Sequence, residues 1–121
     1  YPLLIAPDGT VSFFKTADNL PLGVTSDYEY EEQECYFAPG SQLLFYTDGV
    51  SEAQNEQSKF YKIDRLFNLV VSHSQLAPRQ MVDKVVGDVK RFVGKAEQSD
   101  DLTVMSFRLN PRGKKKIEGL L

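Results

Sequence analysis

Between Met81 and Val93 the apolar residues Met81, Val82, Val85, Val86, Val89, Phe92 and Val93 return every third or fourth position. That spacing predicts a helix with one broad oily face, opened by Pro78 in its first turn and stopped at Gly94. Ile63, Leu66, Phe67 and Val70 share a second helical face that breaks near Ser74-Gln75. Two amphipathic helices side by side still leave apolar surface uncovered, so a further layer has to pack against them.

The flanking segments supply that layer. Leu3–Ala6 and Val11–Lys15 are short apolar runs joined by Pro7-Asp8-Gly9-Thr10, which predicts a hairpin. Leu20-Pro21-Leu22-Gly23 is a loop or bulge. Tyr28–Phe37 alternates and is expected to be a strand with at least one wet face, with Cys35 a packing residue on it. After the turn Ala38-Pro39-Gly40-Ser41, Gln42–Thr47 returns as a more central strand. Asn55–Lys59 is a polar loop. Leu102–Leu109 alternates again and is expected to be mostly buried, with Thr103, Met105, Phe107 and Leu109 as its more apolar face. The order of strands, two helices and one more strand predicts an α+β fold: an antiparallel β-sheet with two packed α-helices. Pro111 onward, PRGKKKIEGLL, breaks the pattern and is expected to be a tail or linker over residues 111–121.

Charge and composition narrow the function. Fourteen basic against seventeen acidic residues in a chain of 121 give a net charge of −3, which argues against a nucleic-acid or membrane-surface binder. No apolar run is long enough for a membrane span, and no leader pattern opens the sequence, so a cytoplasmic location is expected. The single Cys35 excludes an intrachain disulfide framework and fits a reducing compartment.

The chemistry-bearing candidates sit at strand tips. The run Leu43-Leu44-Phe45-Tyr46 ends abruptly in Thr47-Asp48-Gly49, and Ser99-Asp100-Asp101 opens the last strand. If these two strands are antiparallel neighbours, Asp48 and Asp100 meet at one rim of the sheet. Adjacent carboxylates repel unless a cation separates them, and their oxygens suit hard divalent ions such as Mg²⁺ or Mn²⁺. A plain Asp-Gly turn is the alternative for the first of them. The remaining candidates have bland readings. His73 belongs to a helix end, Ser51 and Glu52 to the capping of a short turn, and Lys114-Lys115-Lys116 to a solvated tail.

LLFYTDGVSEA (Leu43–Ala53), followed by two helices and QSDDLTVMSFRL (Gln98–Leu109), resembles the C-terminal half of a stage II sporulation protein E-type serine phosphatase. This is a branch of the metal-dependent, type 2C-like protein phosphatases. PLLIAPDGTV, LPLGV and APGSQLLFYTDGV resemble its sheet segments in order, so the resemblance covers residues 1–110. It implies membership of an α-β-β-α sandwich whose rim holds two Mn²⁺ or Mg²⁺ ions that activate a water for in-line attack on phosphorus. Asp48 and Asp100 match metal-ligand, catalytic aspartates, Asp101 a supporting position, and Gly49 a place where the chain must turn. The implied partner is a phosphorylated regulatory protein such as an anti-sigma-factor antagonist; the alternative is a non-catalytic interaction module on the same fold.

The family's N-terminal half supplies a metal-bridging aspartate in a Gly-His-Gly-containing motif and an Ala-Gly-His segment, and neither occurs in these residues. The chain is therefore expected to be a fragment with little activity alone. Its uncovered sheet is expected to favour self-association, with a homodimer as the simplest form; a clean monomer by light scattering at high concentration would count against that.

Overall fold

The computed structural model describes residues 1–110, and the expected tail at 111–121 lies outside them. Its sheet has four antiparallel strands in the order β2-β1-β3-β4: β1 (Leu3–Ile5), β2 (Val11–Phe13), β3 (Gln42–Tyr46) and β4 (Val104–Arg108). Between β3 and β4 the chain forms a single turn, α1 (Asp48–Ser51), and two longer helices, α2 (Ile63–Ser72) and α3 (Pro78–Val93). The α+β class and the β3–β4 pairing are as the sequence predicts.

The β1–β2 hairpin closes through Asp8, whose Oδ1 accepts the Thr10 N–H at 2.9 Å. Helix α3 begins at Pro78, while the Gln80 side chain accepts the Ala77 N–H at 3.1 Å and so caps a free donor. It ends with Lys90 and Arg91 in the last turn, where cations meet the negative end of the helix dipole. Leu66 and Val70 of α2 and Met81, Val85 and Val89 of α3 press onto Leu3, Ile5 and Leu44 of the sheet. Phe13 stacks on Phe67 at 5.2 Å, tying the hairpin to α2.

Two expectations fail, for different reasons. Tyr28–Phe37 forms no strand, and Cys35 is exposed rather than packed. The side chain of Asn19 bonds both the N–H (2.8 Å) and the C=O (3.0 Å) of Glu31. Gln33 likewise accepts from Ala17 N–H (2.9 Å) and donates to Lys15 C=O (3.4 Å). Two amide side chains thus take the backbone groups that a ladder would have used, and the segments lie side by side without one.

The other failure is one of face. In β4 it is Val104 and Ser106 that face the helices, while Met105 (53% exposed) and Phe107 (40% exposed) face away. Register decides this: Val104 pairs with Tyr46 and Ser106 with Leu44, both on the helix-facing side of β3, and Phe107 pairs with Leu43. The far side of the sheet therefore carries Leu43, Phe45, Met105 and Phe107, with Phe45 and Phe107 rings stacked at 5.8 Å. Phe14 and Phe37 meet edge-on at 5.1 Å in the loop that runs near Leu43 and Phe45.

The inward-facing polar groups of the sheet are satisfied together. Gln42, 1% exposed, donates to Ser106 Oγ at 3.0 Å and accepts from Arg108 at 2.7 Å. Arg108 also donates to Leu76 C=O at 2.9 Å, joining β3, β4 and the α2–α3 loop.

Lys62, at the entry to α2, has φ 66° and ψ 153°, a region in which a Cβ crowds the backbone and glycine is usual. It is held there by Lys62 N–H to Ser51 C=O at 2.9 Å and Tyr61 N–H to Ala53 C=O at 2.8 Å. Relief of this strain by Lys62→Gly is expected to raise stability by about 1 kcal/mol, roughly 5 °C in Tm for a domain of this size. A melting temperature that stays level or drops would show that the site is unstrained.

Candidate metal centre

The end of β3 and the approach to β4 are bound together at one lip of the sheet. Thr47 N–H donates to Thr103 C=O at 3.1 Å, and Thr103 N–H donates to Thr47 Oγ1 at 3.2 Å. Two residues further, Gly49 is buried against the backbone of the other segment: a Cβ there would overlap the Asp101 carbonyl oxygen and stand 3.2 Å from Leu102 Cα. The backbone at Gly49 does not take the left-handed conformation, which among glycines is found at Gly9, Gly23, Gly40 and Gly94. Its requirement is close approach, which corrects the expectation of a conformational role.

Asp48 and Asp100 flank this contact, and both are exposed. Asp48 is the first residue of α1, turned out by the Val50 N–H to Thr47 C=O bond at 2.9 Å. Asp100 Oδ1 accepts the Asp101 N–H at 2.7 Å, and the Gln98 side chain donates to Asp100 C=O at 2.7 Å, so the loop is shaped around Asp100. Burial raises the Tyr46 phenol, and the Asp48 charge raises it further. That phenol donates to Tyr1 C=O at 2.7 Å beside the same lip.

The donor chemistry fits a hard divalent cation: exposed carboxylate oxygens on two segments held by backbone contacts, with room for water or phosphate oxygens. Among the described residues no group of three or more His, Cys, Asp or Glu gathers closely enough to enclose an ion. Asp48 and Asp100 would supply part of a coordination shell. His73 lies apart in the C-terminal turn of α2, its Nδ1 paired with Leu69 C=O at 2.9 Å. Ser51 is the last residue of α1 and Glu52 its C-cap, with the Glu52 N–H donating to Asp48 C=O at 2.8 Å.

A half-buried cluster joining α2 and α3 had no visible sequence signal. Tyr61, 2% exposed, donates to Asp88 Oδ2 at 2.6 Å. Arg65 Nε reaches the same oxygen at 3.0 Å, and its guanidinium lies 5.1 Å from the Tyr61 ring centre and 4.8 Å from that of Phe92. Burial pushes the Asp88 carboxyl up, but hydrogen bonds from Arg65 and Tyr61 and the Arg65 charge outweigh it, leaving it below the ordinary 3.8. Burial and the bond to Asp88 push the Tyr61 phenol well above its usual range. The folded carboxyl is the stronger acid, so ionised Asp88 contributes stability that is present above pH 3.8 and lost as pH falls through its lower folded value. Acid titration of unfolding is expected to show a smaller loss in this window for Asp88→Asn than for the parent chain; parallel curves would remove Asp88 from the account.

The sequence model of the family described as Stage II sporulation protein E (SpoIIE) matches residues 1–110. The chain belongs to the SpoIIE family. Over 92 residues it is 25% identical to the phosphoserine phosphatase RsbU of Bacillus subtilis (strain 168), a match covering 76% of this chain and 27% of that protein. The SiaA-PP2C domain of Pseudomonas aeruginosa superposes with a TM-score of 0.69 at 23% identity, over 90% of this chain and 43% of that domain. The Mn-presoaked phosphatase domain of the cell-fate determinant SpoIIE from Bacillus subtilis gives 0.57 at 17% identity, over 94% and 48%. At these identities the structural likeness establishes the fold. This SpoIIE-family chain thus spans about a quarter of the curated relative and under half of each solved domain. Among its described residues no helix is long and apolar enough to cross a membrane.

Proposed function

We propose that this chain forms the C-terminal side of a Mn²⁺- or Mg²⁺-dependent protein serine/threonine phosphatase, with Asp48 and Asp100 as metal ligands at the β3–β4 lip. The observation that carries the reading is the Gly49–Asp101 backbone contact, backed by the Thr47–Thr103 bonds: it brings two acidic tips, far apart in sequence, to one end of the sheet. Asp48 and Asp100 would hold a divalent ion there, which would supply neutralisation of phosphoryl oxygens and a more acidic water. The chain's own part is to hold Asp48 and Asp100 outward on rigid turns and to keep Asp100 oriented through the Asp101 N–H. The substrate class is a phosphoserine or phosphothreonine on a small regulatory protein of the anti-sigma-factor antagonist kind. The name of the RsbU relative, a phosphoserine phosphatase, supports that chemistry.

The test is phosphate release from a phosphoserine peptide by a domain of the length of the solved relatives that contains this segment. Release should require Mn²⁺ or Mg²⁺, stop on chelation and return on metal addition. Release that is indifferent to chelation would sink the metal assignment; no release from any phosphopeptide would favour an interaction module.

A further inference from the structure

Asp48 stands between two fastened residues. On one side Thr47 is bonded to Thr103, and on the other Gly49 lies against the Asp101 backbone. Thr47 directly precedes α1, a place where a threonine hydroxyl ordinarily accepts an N–H of its own helix. Here it makes no such bond. It accepts the Thr103 N–H at 3.2 Å instead, across the sheet. Continued one residue beyond the Tyr46–Val104 pair, the β3–β4 register puts Thr47 opposite Thr103. Thr47 N–H donates to Thr103 C=O at 3.1 Å, as a ladder requires. The reciprocal bond of such a pair would run from Thr103 N–H to Thr47 C=O. That carbonyl accepts the Val50 N–H at 2.9 Å and closes the turn of α1. The Thr47 side chain thus takes the ladder bond that its own carbonyl has left for the turn.

We infer that Thr47 is a positioning residue for the divalent ion: its hydroxyl holds the approach to β4 against β3 while its carbonyl turns the chain at Asp48. The inference rests on the phosphatase reading and deepens it. Both bonds meet at one residue, so the courses of Asp48 and of the Asp101–Thr103 backbone are set together. Threonine suits this double use, because its branched Cβ restricts χ1, and Thr47 is extended at φ -100° and ψ 170°. Valine keeps that shape and lacks the acceptor. Serine keeps the acceptor and lacks the second branch. With valine, the Thr103 N–H turns to water, since Thr103 is exposed, and one bond in place of two ties it to Thr47. Removing a group that orients a metal ligand typically costs about ten- to a hundredfold in metal affinity.

Mn²⁺ titration followed by electron paramagnetic resonance tests this, on a domain of the solved relatives' length that contains this segment. Thr47→Val should weaken Mn²⁺ binding by about tenfold, and Thr47→Ser should return it to within about threefold of the parent. Both are measured well below their melting temperatures, so that lost stability alone leaves the affinity where it was. Unchanged affinity in Thr47→Val, or equal weakening in Thr47→Ser, overturns the positioning role. A second measurement needs no substitution. If the Thr47 bonds favour the ion-binding geometry, the ion must favour those bonds in return. Mg²⁺ should therefore slow amide hydrogen exchange at Thr103 and Val50 in the parent domain, with little change at Leu44 in the middle of β3. Exchange at Thr103 that is indifferent to Mg²⁺ overturns the inference even if Thr47→Val does not fold. Asp48→Ala separates the two readings. Mn²⁺ binding that is lost in Asp48→Ala but kept in Thr47→Val overturns the Thr47 role alone. No binding, or binding indifferent to Asp48→Ala, overturns the metal site on which that role rests.

Discussion

Replacing Asp48 or Asp100 by alanine is expected to lower Mn²⁺-dependent phosphate release by about a thousandfold or more, the equivalent of roughly 4 kcal/mol of transition-state stabilisation. Both residues are exposed at the lip, and neither packs in the core, so neither change should cost much stability. That separation makes the result interpretable: the assay is run on a domain of the solved relatives' length, with melting curves alongside. Metal affinity, followed by Mn²⁺ titration, should weaken in parallel with turnover. Asp101→Ala makes a useful contrast, because Asp101 contributes its backbone carbonyl and N–H to the lip and its carboxylate to neither contact. Its effect should be much smaller. Unchanged turnover in both Asp48→Ala and Asp100→Ala would end the catalytic assignment.

Gly49→Ala should be among the most damaging single-methyl additions in the chain. The new Cβ overlaps the Asp101 carbonyl oxygen, which is backbone and cannot rotate away as a flexible side chain would. Either α1 or the Asp101–Leu102 segment must move, breaking the lip and disturbing Val50 beneath it, which is fully buried. A loss of about 3 kcal/mol is expected, a drop on the order of 15 °C in Tm. The gain in helix propensity from glycine to alanine, about 1 kcal/mol, is too small to offset it. Gly87 provides the control, since it lies within α3 and a Cβ there would meet nothing within 4 Å. Gly87→Ala should therefore stabilise the chain by about 0.5–1 kcal/mol. If chemical denaturation showed the two substitutions to be equivalent, close approach at Gly49 would not be what organises the lip.

Much of the secondary structure was readable because it rests on local chemistry. Pro78 and Gly94 bracket α3 in sequence and in space, and Asp8-Gly9 marks the β1–β2 turn. The Tyr28–Phe37 segment departs from the strand its sequence predicts for an equally physical reason. Its alternation is that of a strand, but the Asn19 side chain takes the Glu31 backbone and the Gln33 side chain takes that of Ala17 and Lys15. No periodicity reports such a contact. The alternation of β4 is that of a strand, yet its orientation is the reverse of the one its residues suggest, because Met105 and Phe107 look like core residues when seen alone.

The sequence by itself determined the order of hairpin, central strand, two helices and last strand, the limits of α3, the two acidic tips and the family resemblance, all of which depend on neighbours along the chain. Tertiary structure decided which face of β4 turns inward, because register with β3 sets it, and why position 49 must be glycine, because the Asp101 carbonyl occupies the space of a side chain. It also decided that Tyr61, Arg65 and Asp88 form one cluster and that the Thr47 hydroxyl takes the Thr103 N–H. Those facts depend on which distant segments touch, and a linear pattern carries no distance between them.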